Sequence, residues 1–578
     1  MTLRTEETRK RKILSDVALG GIAPDTVLTH GTVFNSFTGE FIKDQSIWVK
    51  HGRIAYVGPD HDPPRNNKTE WIDADGMVLL PGLIEGHTHL NRSGIEEFTK
   101  HVIPGGITTV VMETIELGII FGEKGFDYFV KGLENQPIRF YYTIAPLCGL
   151  TPSIEVKAPR KEALLSMLRD PKCLGIGEIF WGNLFSRGSQ GKRVRDLASL
   201  AVELGKRVEG HGAGATGRKL QAYTCFGPSS DHEPTTKEEV LERLRLGHWV
   251  MIREGSVRKE LPGVKDIFKE RIDFRRLILT SDGVDPVSFM EEGYLDAALR
   301  RALKLGVPPA LAYQMVTINV AEHFHLDHLI GSLSPGKMAD LVIIPSAHEF
   351  SPQRVMCNGK IIMKEGKATV APRNANFPKY MFRSIKVPQN SIPFPRRKGK
   401  ARVIELVTDL VTKEGIVDLE DPEESKDILV IVAIDRVGRG GVFTGFLKGF
   451  GLQKGAYGST MCWDTVDMIV VGCDLPSMET VLARLKEIGG GGVYAIGKER
   501  VAEFPAPLGG VYSQKPMEIL RDEMKYLEGE LQRNGVRWEK PMLTIDTLST
   551  PAIPHLRISH HGYVRLRDRQ VLGAEVIE

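Results

Sequence analysis

The sequence predicts an α/β protein: a parallel (β/α)8 TIM-like barrel, flanked by the two halves of a small split β-sandwich and followed by a C-terminal α+β domain. Three observations predict it. Short β-rich runs alternate with helix-like runs over about 240 residues, as a parallel barrel requires. Antiparallel-looking segments precede and follow that stretch. Ligand-type side chains recur at the ends of its strand-like runs, where a barrel would gather them at one mouth.

Taken in order, residues 1–80 read as an N-terminal extension and the first half of the small β-domain. TVLTHGTVFN and SIWVKHGRIAYVG alternate apolar and polar residues, broken by turn signals. GMVLLPGLIEGHTHL follows, apolar enough for a strand buried on both faces. In residues 81–330, ITTVVME, IRFYYTIA, CLGIGEIF, RVEGHGAG, GHWVMIREGS and RRLILTSDG are strand-like. KEALLSMLRD, RDLASLAVELGK and KEEVLERLRL between them carry helical patterning. Residues 331–387 return to strands and complete the small domain. Residues 388–402, NSIPFPRRKGKAR within them, read as a Pro-rich basic linker, and 403–578 as the C-terminal domain. Its glycine-rich runs RVGRGGVFTGF and IGGGGVYAIG lack the strand–G-x-G-x-x-G–helix context of a dinucleotide site.

Composition narrows the function classes. A chain of 578 residues with 42% hydrophobic and 26% charged residues can bury large cores. Its net charge of +3 is too small to point to nucleic acid as the main partner. The basic run Arg396, Arg397, Lys398, Lys400, Arg402 reads as solvated linker. Cys148, Cys173, Cys225, Cys357, Cys462 and Cys473 show no C-x-x-C pair and no disulfide framework. No secretory signal and no membrane-spanning run is found, so a cytoplasmic location without a membrane partner is expected.

His87 and His89 are two apart on one strand, so both imidazoles face the same space. Glu178, His211, His232 and Asp282 lie at or near the ends of later strands. Imidazole and carboxylate ligands suit divalent Mn, Fe or Zn. Four histidines with two carboxylates exceed the needs of one tetrahedral ion, whereas two ions bridged by Glu178 use all six.

The order H-x-H, Glu, His, His, Asp on this frame resembles the metal-dependent amidohydrolase superfamily, as do PGLIEGHTHL and IGSLSPGKMADLVII. More narrowly, GHGAGATGRKLQAYTCFGPSSDHE, VMIREGS and GFLKGFGLQKGAYGST with MIVVG resemble the bacterial adenine deaminase family. The resemblance implies His87 and His89 on one metal, Glu178 bridging, and His211 and His232 on the second. It makes Asp282 both ligand and proton shuttle, handling the proton of a water activated between two cations. Glu233, Arg253 and Glu254 become candidates for orienting substrate or ligands, Glu233 as a further catalytic group. Surface ion pairs or caps would explain these three equally well.

The chain departs from the family pattern at several polar positions. Asn91 and Arg92 follow the H-x-H motif where the family carries an acid at the position of Asn91. Glu113, Thr114, Ile115 and Glu116 replace D-P-H-E, and Gly283 follows Asp282 where a second Asp is usual. Cys462, Trp463, Asp464, Thr465, Val466 and Asp467 replace A-H-D-S-H-N. None of these touches the six ligands. All touch positions able to shape a substrate pocket, with Asn91, Arg92, Glu113, Glu116, Trp463 and Asp464 as candidate contacts. Trp463 would offer a flat ring a stacking surface, or would simply pack in the core.

The expected function is binuclear metal-dependent hydrolysis of a C–N bond in a flat heterocycle, with adenine and water giving hypoxanthine and ammonia. The alternative is a cyclic amidohydrolase, or a deaminase of a different purine-like or cyclic amide substrate. The expected partners are a small heterocyclic substrate and, by resemblance to the family, further copies of the chain.

Overall fold

The computed structural model describes residues 3–59, 62–64, 66–147, 149–152, 159–387, 392–395 and 398–575. Cys148, Arg396 and Arg397 fall outside the described residues. The other five cysteines are free thiols. Among the described residues no helix is long and apolar enough to cross a membrane.

The chain begins with a helix, Leu3–Ala18, that the strand patterning did not signal. Its Leu14 and Val17 pack on Val27, Trp48 and Ala55. The two β-rich flanks then join a single nine-stranded sheet. Val78–Pro81 pairs antiparallel with Leu341–Ile344, so strands from either side of the central region complete one another. The expected sandwich is thus one continuous sheet. The long strand Thr26–Asn35 links its parts, pairing with Glu40–Lys50, Glu70–Asp73 and Val78–Pro81.

The central region carries eight parallel strands in two sheets. The first holds Leu83–Thr88, Ile107–Glu113, Arg139–Ile144, Cys173–Phe180 and Arg207–His211 in sequence order. The second holds Ser230–Asp231, Trp249–Arg253 and Leu277–Thr280. Backbone bonds link the sheets at both edges: Ser229 N to Val208 O at 2.9 Å, and Asp282 N to His87 O at 3.2 Å. Helices on the outside hide these strands, which explains their continuous apolar runs. Every residue of Ile107–Glu113 and of Cys173–Phe180 is buried. Helix starts follow local chemistry: Thr236 caps Lys237–Arg245 by accepting from Glu239 N.

Beyond residue 399 an eight-stranded sheet runs from Lys400–Leu406 to Glu499–Pro505, with the central strands Ile428–Asp435 and Asp467–Gly472 buried throughout. The last three residues of the expected linker, Lys400–Arg402, already pair with Ile416, Val417 and Asp418 in this sheet. Helix Leu475–Ile488 is bounded as its sequence dictates, by the Asp474 cap and by Gly489 at φ 81°. Helix Met517–Arg533 and a small sheet of Leu556–Ser559, Gly562–Arg565 and Gln570–Leu572 complete the unit. One hydrophobic core cluster runs from Ile107 and Leu117 in the central region through to Met461 and Met524 in this part.

Candidate active site

The parallel strands end at one place, and Glu178 lies at its centre. Glu178 Oε1 is 3.0 Å from His87 Nε2, 3.5 Å from His89 Nε2 and 3.5 Å from His232 Nε2. Its Oε2 is 3.8 Å from His211 Nδ1. Asp282 Oδ1 is 3.2 Å from His87 Nε2 and 3.8 Å from His89 Nε2, and His232 Nε2 is 3.1 Å from His211 Nδ1. The structure therefore brings together all six side chains singled out in the sequence. The ligand atoms of His87, Glu178, His232 and Asp282 lie within 4.8 Å of one another, as do those of His211, His232 and Glu233.

These donors fit divalent transition ions. They are imidazole nitrogens and carboxylate oxygens in a buried cluster, and His211 Nε2 is buried with no hydrogen-bond partner among the described residues. Charge favours the ligating forms of the two carboxylates and of His232. Burial opposes protonation of His87 and His89, yet Asp282, Glu113 and Glu178 raise the first, and Glu116 and Glu178 the second, well above the ordinary imidazole value. Burial pushes Glu178 toward protonation, but His87 and His89 hold it well below the carboxylate range. Burial opposes ionisation of Asp282 too, and His87 and Arg253 more than offset it. Burial, aided by His87, pulls His232 down to about 4, leaving its ring neutral.

A layer of carboxylates behind the histidines fixes their rings. Glu113 Oε1 lies 3.6 Å from His87 Nδ1 and accepts from Thr143 Oγ1 at 2.6 Å. Glu116 Oε1 lies 3.5 Å from His89 Nδ1, while Glu116 Oε2 accepts from Tyr512 at 2.7 Å. Asp231 accepts from Gly212 N and Glu233 N, both at 3.0 Å, and from Arg243 Nε at 2.5 Å, which sets the loops after His211 and His232. Such partners fix tautomer and ring orientation. Two glycines permit this crowding: a Cβ on Gly177 would lie 2.0 Å from Glu113 Oε2, and one on Gly212 would lie 2.2 Å from Asp231 Oδ2. Asn91, Arg92, Asp282 and Asp464 all have positive φ, so backbone strain clusters here.

A cavity of about 240 Å³ opens over this cluster. Among the expected substrate contacts, Asn91, Arg92, Glu116, Arg253, Trp463 and Asp464 line it, as does Glu233. Two others sit elsewhere. Glu113 backs His87, as described. Glu254 turns away, accepting from Leu261 N at 3.0 Å and pairing with Arg301 Nη1 at 2.8 Å. Arg92 reaches the cavity but its Nη2 is bonded to the buried Asp546. Arg253 Nη1 bonds Glu233 Oε1 and lies 3.3 Å from Asp282 Oδ2, and its Nη2 is 3.2 Å from Glu260 Oε1. Asn91 Nδ2 is 3.4 Å from Ser256 Oγ. Asp464 accepts from Thr550 Oγ1, and burial pushes its carboxyl up to about 7.

The sequence reading missed Glu85, Asp231, Arg243, Tyr512 and Asp546. Glu85 accepts from Thr280 Oγ1 and from His87 N at 3.2 Å, locking the strand bearing His87 to the strand before Asp282. Glu85 and Asp231 stand beside the H-x-H and D-H-E motifs, and that adjacency to ligands was the signal they offered. Tyr512 and Asp546 offered none.

Histidines and acids converging at the ends of parallel strands define a metal-dependent hydrolase of the amidohydrolase class. The Amidohydrolase family profile matches residues 78–362, which carries with it a TIM-barrel-like fold, and the Adenine deaminase C-terminal domain profile matches residues 405–570. An adenine deaminase of Desulfatibacillum aliphaticivorans is 32% identical over 95% of this chain and 96% of its own. One of Archaeoglobus fulgidus is 32% identical over 100% of both chains, and one of Clostridium botulinum 30% identical over 96% of this chain and 95% of its own. The chain belongs to the adenine deaminase family.

Proposed function

We propose that this protein deaminates adenine hydrolytically to hypoxanthine and ammonia. The observation carrying the reading is the meeting of His87, His89, Glu178, His211, His232 and Asp282 in one cluster, of which His89, Glu178, His211 and Asp282 line the cavity. Similarity to adenine deaminases along nearly the full length supports the substrate.

In this reading His87, His89 and Asp282 would hold one divalent ion and His211 and His232 a second, with Glu178 within reach of both sets of histidines. Bound in such a donor set, Mn, Fe or Zn lowers the pKa of a water molecule and stabilises charge developing on the ring. Asp282 accepts the proton of the attacking water and passes it to the departing amino nitrogen. Arg253 fixes Asp282 Oδ2 and Glu233, which holds the acceptor aimed at the cavity. Trp463 offers a face to the ring, and Asp464 and Asn91 offer hydrogen bonds to its edge.

The same reading joins the eight parallel strands of residues 81–330 into one closed barrel. It divides the remainder into the split β-domain of residues 1–80 and 331–387, a short connection, and a C-terminal domain. It also places a homo-oligomer in the cytoplasm. The test is ammonia release from adenine by protein loaded in turn with Mn, Fe and Zn. Turnover with at least one metal is expected; background rates with all three would overturn the proposal.

A further inference from the structure

We propose that the cavity contains an anion subsite formed by Arg258, so that its preferred substrate is an aminated flat ring bearing a carboxylate or phosphate-type group. This rests on the reading of the cavity as the substrate site.

Arg92 is bonded to Asp546, and Arg253 to Glu233, Asp282 and Glu260. Glu116 serves His89 and Tyr512. Arg258 also lines the cavity, yet among the described residues its guanidinium has neither a hydrogen bond nor an ion pair. Glu260, the carboxylate whose charge it feels, is already bonded to Arg253 Nη2 at 3.2 Å.

The backbone at Arg258 is also held in place. The loop carrying it is closed by an antiparallel bridge between Glu254 and Lys259, and by Gly255 N donating to Arg258 O at 2.9 Å. It is tied to the segment after Asp282 through Ser256 N to Gly283 O at 3.2 Å and Asp285 N to Ser256 Oγ at 2.8 Å. A Cβ on Gly255 would stand 1.9 Å from Ser281 O, so this loop packs directly on the strand end that presents Asp282. The backbone that carries Arg258 therefore has a fixed relation to the strand end that presents Asp282.

The cavity lining also includes the apolar side chains of Val257, Leu410, Val411 and Ile553. A neutral ring filling this space displaces water from the guanidinium and returns no hydrogen bond, which costs free energy. A carboxylate or phosphate oxygen pair restores those bonds in the bidentate geometry that arginine favours.

The test uses the metal-loaded enzyme with adenine and with aminopurines bearing a carboxylate or a phosphonate at C2 or C8. Binding is read by calorimetry and turnover by ammonia release. At least one anionic analogue is expected to bind about tenfold or more tighter than adenine. Arg258→Met should reduce that ratio by about the same factor, and Arg258→Lys should keep part of it. The carboxylate and phosphonate arms distinguish the two anion sources. The proposal is overturned if no anionic analogue outcompetes adenine in the wild type, or if Arg258→Met leaves the ratio unchanged. Failure to turn over adenine would instead count against the deaminase reading, because the calorimetric ratio does not depend on catalysis.

Discussion

Tyr512 donates a hydrogen bond of 2.7 Å to Glu116, 396 positions earlier in the chain. Glu116 in turn faces His89 Nδ1 at 3.5 Å, so a residue near the end of the chain steadies a candidate metal ligand near its beginning. Tyr512→Phe removes the hydroxyl and little else. Metal affinity should fall by about 10- to 100-fold, as for other partners behind metal ligands, with the melting temperature nearly unchanged. Titration of the metal-free protein with Zn measures this; equal affinity in both proteins would refute the link.

Asp282→Asn retains shape but removes the proton acceptor. Turnover should fall by about 100-fold or more while the variant unfolds at the wild-type temperature. A variant retaining a tenth of the activity would exclude Asp282 as the proton carrier.

Glu178→Gln leaves an amide where four histidines now meet a carboxylate. Elemental analysis of the purified variant should show less bound transition metal than the wild type. Unchanged content would mean that another group joins the two halves of the cluster.

Arg92→Met strands the carboxylate of Asp546, which is fully buried. Breaking a buried pair from one side costs about 3–5 kcal/mol, and denaturant unfolding should show a loss of that order. A loss below about 1 kcal/mol would show that Asp546 simply takes up a proton.

Glu528 gives a pH signature away from the metal cluster. Burial, with Asp285 adding to it, pushes its carboxyl up to about 8, against an ordinary value of 4.5. Between those values the folded chain holds a proton that the unfolded chain has lost, so stability falls as pH rises through the window. Glu528→Gln removes that part of the slope. The variant should gain in melting temperature relative to wild type from pH 5 to pH 8, by about 1 °C for each kcal/mol relieved. Parallel melting curves would contradict the raised value.

The sequence disclosed the six converging side chains because metal ligation restricts residue type, and strand ends restrict position. It disclosed strands such as Cys173–Phe180 because burial on both faces demands uninterrupted apolar residues. Helix Leu3–Ala18 escaped notice because it buries few apolar residues beyond Leu14 and Val17. Arg92 looked like a substrate contact because its partner, Asp546, lies 454 positions away in a stretch without a motif. Glu113 and Glu254 were misplaced for a related reason. A carboxylate near a ligand has the same sequence appearance whether it faces the cavity or the packed interior, and only the neighbours Thr143 and Arg301 decide.

Trp463, Asp464 and Tyr512 line the cavity from the far third of the polypeptide, whereas every candidate ligand comes from its first half. Part of the cavity wall is thereby written in a stretch of the gene separate from the candidate ligands. Natural variation after Lys400 can therefore reshape the part of the wall formed by Trp463, Asp464 and Tyr512 while leaving the candidate ligands unchanged.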